Sequence, residues 1–130
     1  MLVRVEKVAH LAQRPMTARV HSPLGHAEVL WCGEPEEADG RHHVEWSVDE
    51  DVRWGENTRS SALAEPAFWQ AGDQITLRGR LHLIDGAAAL EMGGSQVLFD
   101  LAAPPPESID RAWVEISVGA DRVALWPYRL

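Results

Sequence analysis

The chain has 130 residues, 45% hydrophobic and 25% charged, which fits one soluble globular domain and is too short for two. Its 20 acidic and 12 basic side chains give a formal net charge of −8. This argues against a free-standing nucleic-acid binder, because phosphate contacts need a basic surface. Cys32 is the only cysteine, so no intrachain disulfide can form, and no stretch has the pattern of a signal peptide or membrane span. We therefore expect a cytoplasmic protein without membrane contact.

Short strands are predicted along the first half of the chain. LVRVEKV (2–8) alternates apolar and polar residues, although a short helix fits the same residues. TARV (17–20) and HAEVLWC (26–32) flank a turn and form a predicted hairpin. HHVEWSVD (42–49) gives the strongest strand signal of this half, with its valines and Trp46 on the inward side.

The segment 55–73 is the longest stretch without alternation. Ser60 or Ser61 fits as the N-cap of a short helical turn, and Pro66 prevents that turn from running far. A loop of this length is unusual in a compact domain, so we interpret the segment as a lid, a binding loop or a partly disordered arm.

The second half is more regular. GDQITLRGRLHLID (72–85) alternates clearly, and the turns at Asp85-Gly86 and Gly93-Gly94 predict a three-strand meander. A proline-rich crossover follows, and WVEISV (113–118) with RVALWPY (122–128) is predicted to close the chain as a hairpin. No internal repeat and no domain linker is apparent. About seven or eight short strands with little helix predict an all-β barrel or sandwich formed by residues 1–130 as a single domain.

The strand after Gly72-Asp73 resembles one found in OB-fold proteins. Ile75, Leu77, Leu81 and Leu83 point inward, and Gly79 shares their parity. A glycine suits a strand that bends sharply around a small barrel. The resemblance covers about half of the chain and implies an OB-like barrel. It departs from the family at the proline-rich crossover, where OB barrels usually carry a helix. The stretches VEWSVDEDVRWGENT and VALWPY are also similar to small uncharacterised proteins of high-GC bacteria, a likeness that implies no function.

Aromatic residues near the C-terminus form the first candidate site. If Val123 and Leu125 face the core, Trp126 and Tyr128 face the opposite side, and Trp113 faces outward on the preceding strand. In a terminal hairpin these three rings would form one patch, of the kind enriched at protein interfaces. The alternative is that packing on both faces buries them.

Arg78, Arg80 and His82 form the second candidate, a basic row on the outer side of the predicted barrel strand. In an OB-type barrel such a row can follow a phosphate backbone. The alternative is an ordinary wet strand face whose cations pair with cross-strand acids such as Glu91 or Glu115. No aromatic side chain alternates with these residues, which favours that alternative.

Metal and catalytic sites have weaker support. His21, His26, Cys32, His42 and His43 lie within 23 positions, but their spacing matches no metal motif, and His42 and His43 point to opposite faces of one strand. Cys32 has no neighbouring motif that would lower its pKa, and no nucleotide, zinc-protease or serine-hydrolase motif is present. We therefore predict no metal, no cofactor and no catalytic residue, and lean against an enzyme.

These observations lead to a first hypothesis of a non-catalytic binding module that recognises a protein partner, or a second copy of itself, through the aromatic residues. The alternative hypothesis is an OB-type binder of single-stranded nucleic acid through the basic row, which the net charge disfavours. A metal-binding or hydrolytic protein ranks third.

Overall fold

The computed structural model describes residues 1–8 and 15–129 and is all-β, as the alternation predicts. Three single-turn 3₁₀ segments, Pro35–Glu37, Glu107–Ile109 and Ala120–Arg122, are the helical elements of this part of the chain. The strands are β1 Leu2–Lys7, β2 Thr17–Ser22, β3 Gly25–Trp31, β4 Gly40–Val48, β5 Thr58–Ser60, β6 Ala67–Ala71, β7 Gln74–Ile84, β8 Ala87–Met92, β9 Ser95–Asp100, β10 Trp113–Gly119 and β11 Val123–Tyr128.

Five strands close into a small barrel, which confirms the predicted barrel class. β1 pairs with β2 and β4, β2 pairs with β3, and β11 fills the remaining gap by pairing with β3 and β4. Every neighbouring pair is antiparallel except β3 with β11, which is parallel. We call these five strands the first unit.

The remaining strands form a second circuit on the same plan. β7 pairs with β8 and β10, and β8 pairs with β9. The circuit closes through residues 52–60, because Val52 forms a parallel bridge to Leu101 just after β9, and β5 pairs with β10. We call this circuit the second unit, and β6 lies outside it, paired with β7.

Equivalent hydrogen bonds recur in the two units. The side-chain Oδ1 of Asp39 accepts the backbone N–H of Lys7 at 2.6 Å, and Oδ1 of Asp110 accepts that of Leu83 at 2.9 Å. Each aspartate follows a 3₁₀ turn and precedes a residue with positive φ, which is Gly40 in one unit and Arg111 in the other. The loop between the third and fourth strands and its bond to the first strand therefore repeat, although no repeat is apparent in the sequence.

The closing bonds also repeat, and they show that the units exchange their fifth strands. Cys32 N–H donates to Leu125 O at 2.9 Å, and Ala102 N–H donates to Val52 O at 3.0 Å. The chain leaves β4 of the first unit to supply residues 52–60 to the second, and leaves β10 of the second to supply β11 to the first. The sequences VEWSV (44–48) and VEISV (114–118), which lie on the fourth strand of each unit, carry this repeat.

Alternation places one continuous core through both units. Ile75, Leu77 and Leu81 of β7 are fully buried, as predicted, and belong to the same buried cluster as Val5 and Leu125 of the first unit. Gly79 is required between them, because a Cβ at this position would collide with the Glu91 carbonyl oxygen of β8.

Two predictions about strands are wrong. The segment 55–73 contains β5 and β6 and no helical turn; three- and five-residue strands are too short to produce a recognisable alternation. Consequently the described residues contain eleven strands, where about seven or eight were predicted. The predicted terminal hairpin is also absent from the ladders, because β10 pairs with β7 and β5 while β11 pairs with β4 and β3. The strand exchange sends two consecutive strands into different units.

Candidate functional site

β11 presents two aromatic side chains on the outside of the first unit. Val123 and Leu125 are fully buried, so alternation turns Trp126 and Tyr128 outward, as the sequence predicts. The two residues are 52% and 39% exposed.

The neighbours of these rings extend the surface across three strands. Tyr128 lies opposite His43 of β4 with ring centroids 5.9 Å apart, and His43 lies opposite Leu2 of β1, which is 47% exposed. Trp126 lies opposite the exposed Glu45. We call Leu2, His43, Trp126 and Tyr128 the aromatic strip.

Trp113 is not part of this strip. It is half-buried on β10 of the second unit, where it lies opposite Arg80 of β7. Because β10 and β11 do not form a hairpin, no strand ladder joins Trp113 to Trp126 and Tyr128. The three rings expected to form one patch therefore belong to two different ladders.

Each residue of the basic row already has a protein partner. Arg78 Nε donates to Glu115 Oε2 at 3.1 Å, Arg80 Nε donates to the Arg111 carbonyl at 3.0 Å, and His82 Nε2 lies 3.0 Å from Glu91 Oε2. Both acids that the sequence suggests as cross-strand partners take that role. Each member of the row is thus hydrogen-bonded within the protein, and Arg80 stays exposed while Arg78 is mostly buried.

Arg78 is the centre of a larger cluster that sequence reasoning missed. Its side chain is only 12% exposed, and its guanidinium carbon lies 4.9 Å from the ring centre of Trp69 on β6. Glu115 also accepts bonds from Arg59 of β5. Burial raises the pKa of the Glu115 carboxyl, but bonds and charges from Arg59 and Arg78 outweigh burial and hold that pKa below its ordinary value. This cluster therefore joins β5, β6 and β7 to β10.

A cavity of about 780 Å³ opens beside the strip at the end of the first barrel. Tyr128 and His43 reach it from the strip, and Trp31, Cys32 and His42 line its inner wall. His42 Nε2–H donates to the Ala38 carbonyl at 3.0 Å. Burial raises the pKa of the Cys32 thiol, so the reactive thiolate is disfavoured. Neither group is arranged as an activated nucleophile or its base.

The histidines form two separate pairs on different strands. His21 and His26 stack on each other across β2 and β3 with centroids 6.1 Å apart, and His42 and His43 point to opposite sides of β4, as predicted. Within residues 1–8 and 15–129, no three His, Cys, Asp or Glu side chains gather into a group that would hold a metal ion. Three of the predicted candidates, His43, Trp126 and Tyr128, thus meet at one surface.

Comparison of the chain with protein-family models, with curated proteins and with solved structures gives no match. None of the helical segments in the described part of the chain is long and apolar enough to cross a membrane.

Proposed function

We propose that this protein is a non-catalytic binding module that recognises a protein partner through the aromatic strip. The observation that carries the proposal is the outward position of Trp126 and Tyr128 on a barrel whose other faces are mostly polar. Large aromatic side chains on a rigid strand lose little conformational entropy when they bind. Trp and Tyr are also enriched among the few residues that contribute most of the binding energy at protein interfaces.

The adjoining cavity adds to this support. Tyr128 and His43 line both the strip and the cavity, so a partner side chain anchored in the cavity would also contact the strip. The strip lies between an acid, Glu45, and two arginines, Arg4 and Arg41, which occupy the next row of the same face. A mixed polar rim around an apolar centre is the usual arrangement of a protein-binding surface.

We also propose that the first unit is an OB-type barrel. Its circuit β1–β2–β3–β11–β4 with one parallel pair supports this, as does the repetition of the same circuit in the second unit. The alternative function, binding of single-stranded nucleic acid, keeps less support because Arg78, Arg80 and His82 are engaged by other groups. Flat fluorescence polarisation of labelled oligonucleotides at low salt would reject it.

The binding proposal is tested with the whole chain and its Trp126→Ala and Tyr128→Ala variants. Peptides are selected from a displayed random library on the wild type, and sedimentation over a wide concentration range reports self-association. We expect each variant to bind the selected peptides at least about tenfold more weakly, since interface aromatics of this kind contribute about 2 kcal/mol or more.

Leu63→Ala provides the matched control, because Leu63 is 50% exposed but lies outside the strip. It should leave binding unchanged. Peptides that bind the wild type and both strip variants equally would reject the aromatic strip as the binding surface. Concentration-dependent dimers that both variants abolish would identify the partner as a second copy of the chain.

A further inference from the structure

Ile84 of β7 is a large apolar side chain on the outer face of the second unit. It is 56% exposed, whereas Leu77 and Leu81 of the same strand are fully buried. On the outer face, Ala87 of β8 lies opposite Ile84, and Asp100 of β9 lies opposite Ala87. Ile84 therefore projects from the sheet beside a small side chain, which leaves much of its surface in contact with solvent.

Two hollows in the surface meet at Ile84. The first, of about 390 Å³, has Ile84, Ala87 and Leu98 among its apolar walls. The second, of about 410 Å³, is lined by Ile84 and by the apolar residues 101–105 of the loop after β9, of which residues 102–104 are exposed. We call the two hollows together the Ile84 groove. Contiguous exposed apolar side chains of this kind are typical of interaction sites on soluble proteins.

The rim of the Ile84 groove is acidic. The residues 49–51, all of them acids that follow β4, line the first hollow together with Asp100 of β9, and Asp85 lines the second hollow. Arg122 lies 3.5 Å from Asp49, and within residues 1–8 and 15–129 it is the only cation that forms an ion pair with any of these acids. The apolar groove therefore lies next to negative charge that the described part of the chain leaves largely uncompensated.

The charge of the rim indicates the chemistry of an occupant. Nucleic acids and anionic lipid surfaces present phosphate groups, which these carboxylates repel. A protein segment with lysine or arginine side chains can pair with the rim, while neighbouring apolar side chains fill the two hollows. The groove therefore fits a partner segment that is both basic and apolar.

We propose that the Ile84 groove binds a short basic amphipathic segment of a protein partner. Apolar side chains of the segment occupy the two hollows that meet at Ile84, and its lysine or arginine side chains pair with the acidic rim. Burial of the apolar side chains supplies affinity, and the opposite charges supply specificity and accelerate association. This surface lies on the second unit, so it goes beyond the binding role proposed for the aromatic strip of the first unit.

The test follows the Ile84 methyl group by NMR while the whole protein is titrated at low salt with a capped Leu-Lys-Lys-Leu-Leu-Lys-Lys-Leu peptide. The chain has four isoleucines, of which the other three are buried, and Ile84→Leu identifies the Ile84 signal by removing it. We expect saturating peptide to shift this signal while the signals of the buried isoleucines change little. An Ile84 signal that stays unchanged at millimolar peptide would overturn the proposal.

Ile84→Ser tests the apolar contact. It should weaken peptide binding at least about tenfold, because the side chain shared by both hollows is lost. Leu63→Ser is the matched control and should leave binding unchanged, since Leu63 is 50% exposed but lines neither hollow. Circular dichroism checks that both variants fold. Equal binding by the wild type and Ile84→Ser would overturn the groove as the binding surface.

Asp100→Lys tests the acidic rim. It should weaken binding about tenfold at low salt, and the difference should shrink at high salt because ions screen exposed charges. Glu36→Lys is the matched control, since it makes the same change in net charge at an exposed site of the first unit. An equal loss of binding in the two variants would overturn the rim, because it would show a dependence on net charge alone.

Two altered peptides repeat both tests on the unchanged protein, so the result does not depend on the folding of a variant. In one peptide every leucine is replaced by serine, and in the other every lysine is replaced by glutamate. Each replacement should abolish the shift of the Ile84 signal. A shift that persists with the first peptide contradicts the apolar contact, and one that persists with the second contradicts the basic specificity.

Trp126→Ala separates this proposal from the binding role of the aromatic strip. The strip lies on the first unit, so this variant should bind the peptide as the wild type does. Binding that is lost in Trp126→Ala and kept in Ile84→Ser overturns the Ile84 groove and supports the strip. Binding that is kept in Trp126→Ala and lost in Ile84→Ser supports the groove, while the library selection still decides the strip.

Discussion

Glu115 stabilises the fold through two ion pairs. Its carboxylate oxygens lie 3.1 Å from Arg78 Nε and 2.9 Å from an Arg59 guanidinium nitrogen, and only 12% of its side chain is exposed. We expect Glu115→Gln to lower the free energy of unfolding by about 1–3 kcal/mol at neutral pH, because Arg78 then keeps only a neutral partner in a desolvated place. Urea unfolding measures this loss.

Because the pKa of Glu115 is lowered in the folded protein, the stability lost in Glu115→Gln should depend on pH. A carboxyl whose pKa is lower in the folded than in the unfolded state stabilises the fold at pH values above its ordinary value of 4.5. That stabilisation disappears as the pH falls through the folded-state pKa. The difference in stability between wild type and Glu115→Gln should therefore shrink in acid. A difference that stays constant from neutral pH into acid would contradict the role of the ionised pair.

Glu91→Gln is the control for this experiment. Glu91 also faces a basic partner, His82, but its side chain is 53% exposed. Solvent screens such a pair, so the change should cost no more than about 0.5 kcal/mol.

At the scale of elements, β7 depends on the absence of a side chain at one position. A Cβ at Gly79 would meet the carbonyl of Glu91 and the side chain of Leu90, both of which are fixed in β8. We expect Gly79→Ala to destabilise the protein by about 2–3 kcal/mol, a magnitude typical of overpacking. Gly119→Ala is the matched control, because its Cβ would approach closely the movable carboxylate of Asp121, and its other neighbour, Arg122 Cγ, lies at an ordinary contact distance of 3.6 Å. Equal thermal melting of the two variants would contradict this requirement.

Long alternating strands were predictable from the sequence, and pairing between distant elements was not. Ile75, Leu77 and Leu81 alternate over enough residues to identify β7 and its inward face. Trp69 has no such context in a five-residue strand, so its contact with Arg78 was missed. The short turn after Gly119 is typical of a hairpin, yet it leads the chain into the other unit. Which strand β11 pairs with depends on the packing of both units and not on the sequence of the turn.

The candidate site was predictable to the same extent. Alternation from Val123 and Leu125 is local information, and it places Trp126 and Tyr128 outside. Their neighbours His43 and Leu2 come from strands that are distant in sequence. The repeated VEWSV and VEISV stretches carried information about the two-unit plan, but five residues are too few to reveal a repeat without the matching contacts.

At the scale of the whole molecule, strand exchange makes the two units dependent on each other. The second unit lacks its fifth strand without residues 52–60, which follow β4, and the first lacks its own without β11, which follows β10. A barrel missing a strand exposes two unpaired edges and its core. The buried residues also form one cluster across both units. We therefore expect a single cooperative unfolding transition rather than two.

Leu90→Ala tests this dependence from within the second unit. Leu90 is fully buried on β8, so the change should lower the free energy of unfolding by about 2–5 kcal/mol. Amides of β1 and β2, in the other unit, should lose protection from hydrogen exchange by the same free energy as amides of β8, because both open in the same event. Leu98→Ala, at a 66% exposed leucine of neighbouring β9, should change either set little. If β1 and β2 kept their wild-type protection in Leu90→Ala, the first unit would be stable alone, and the exchanged strands would not couple the two units.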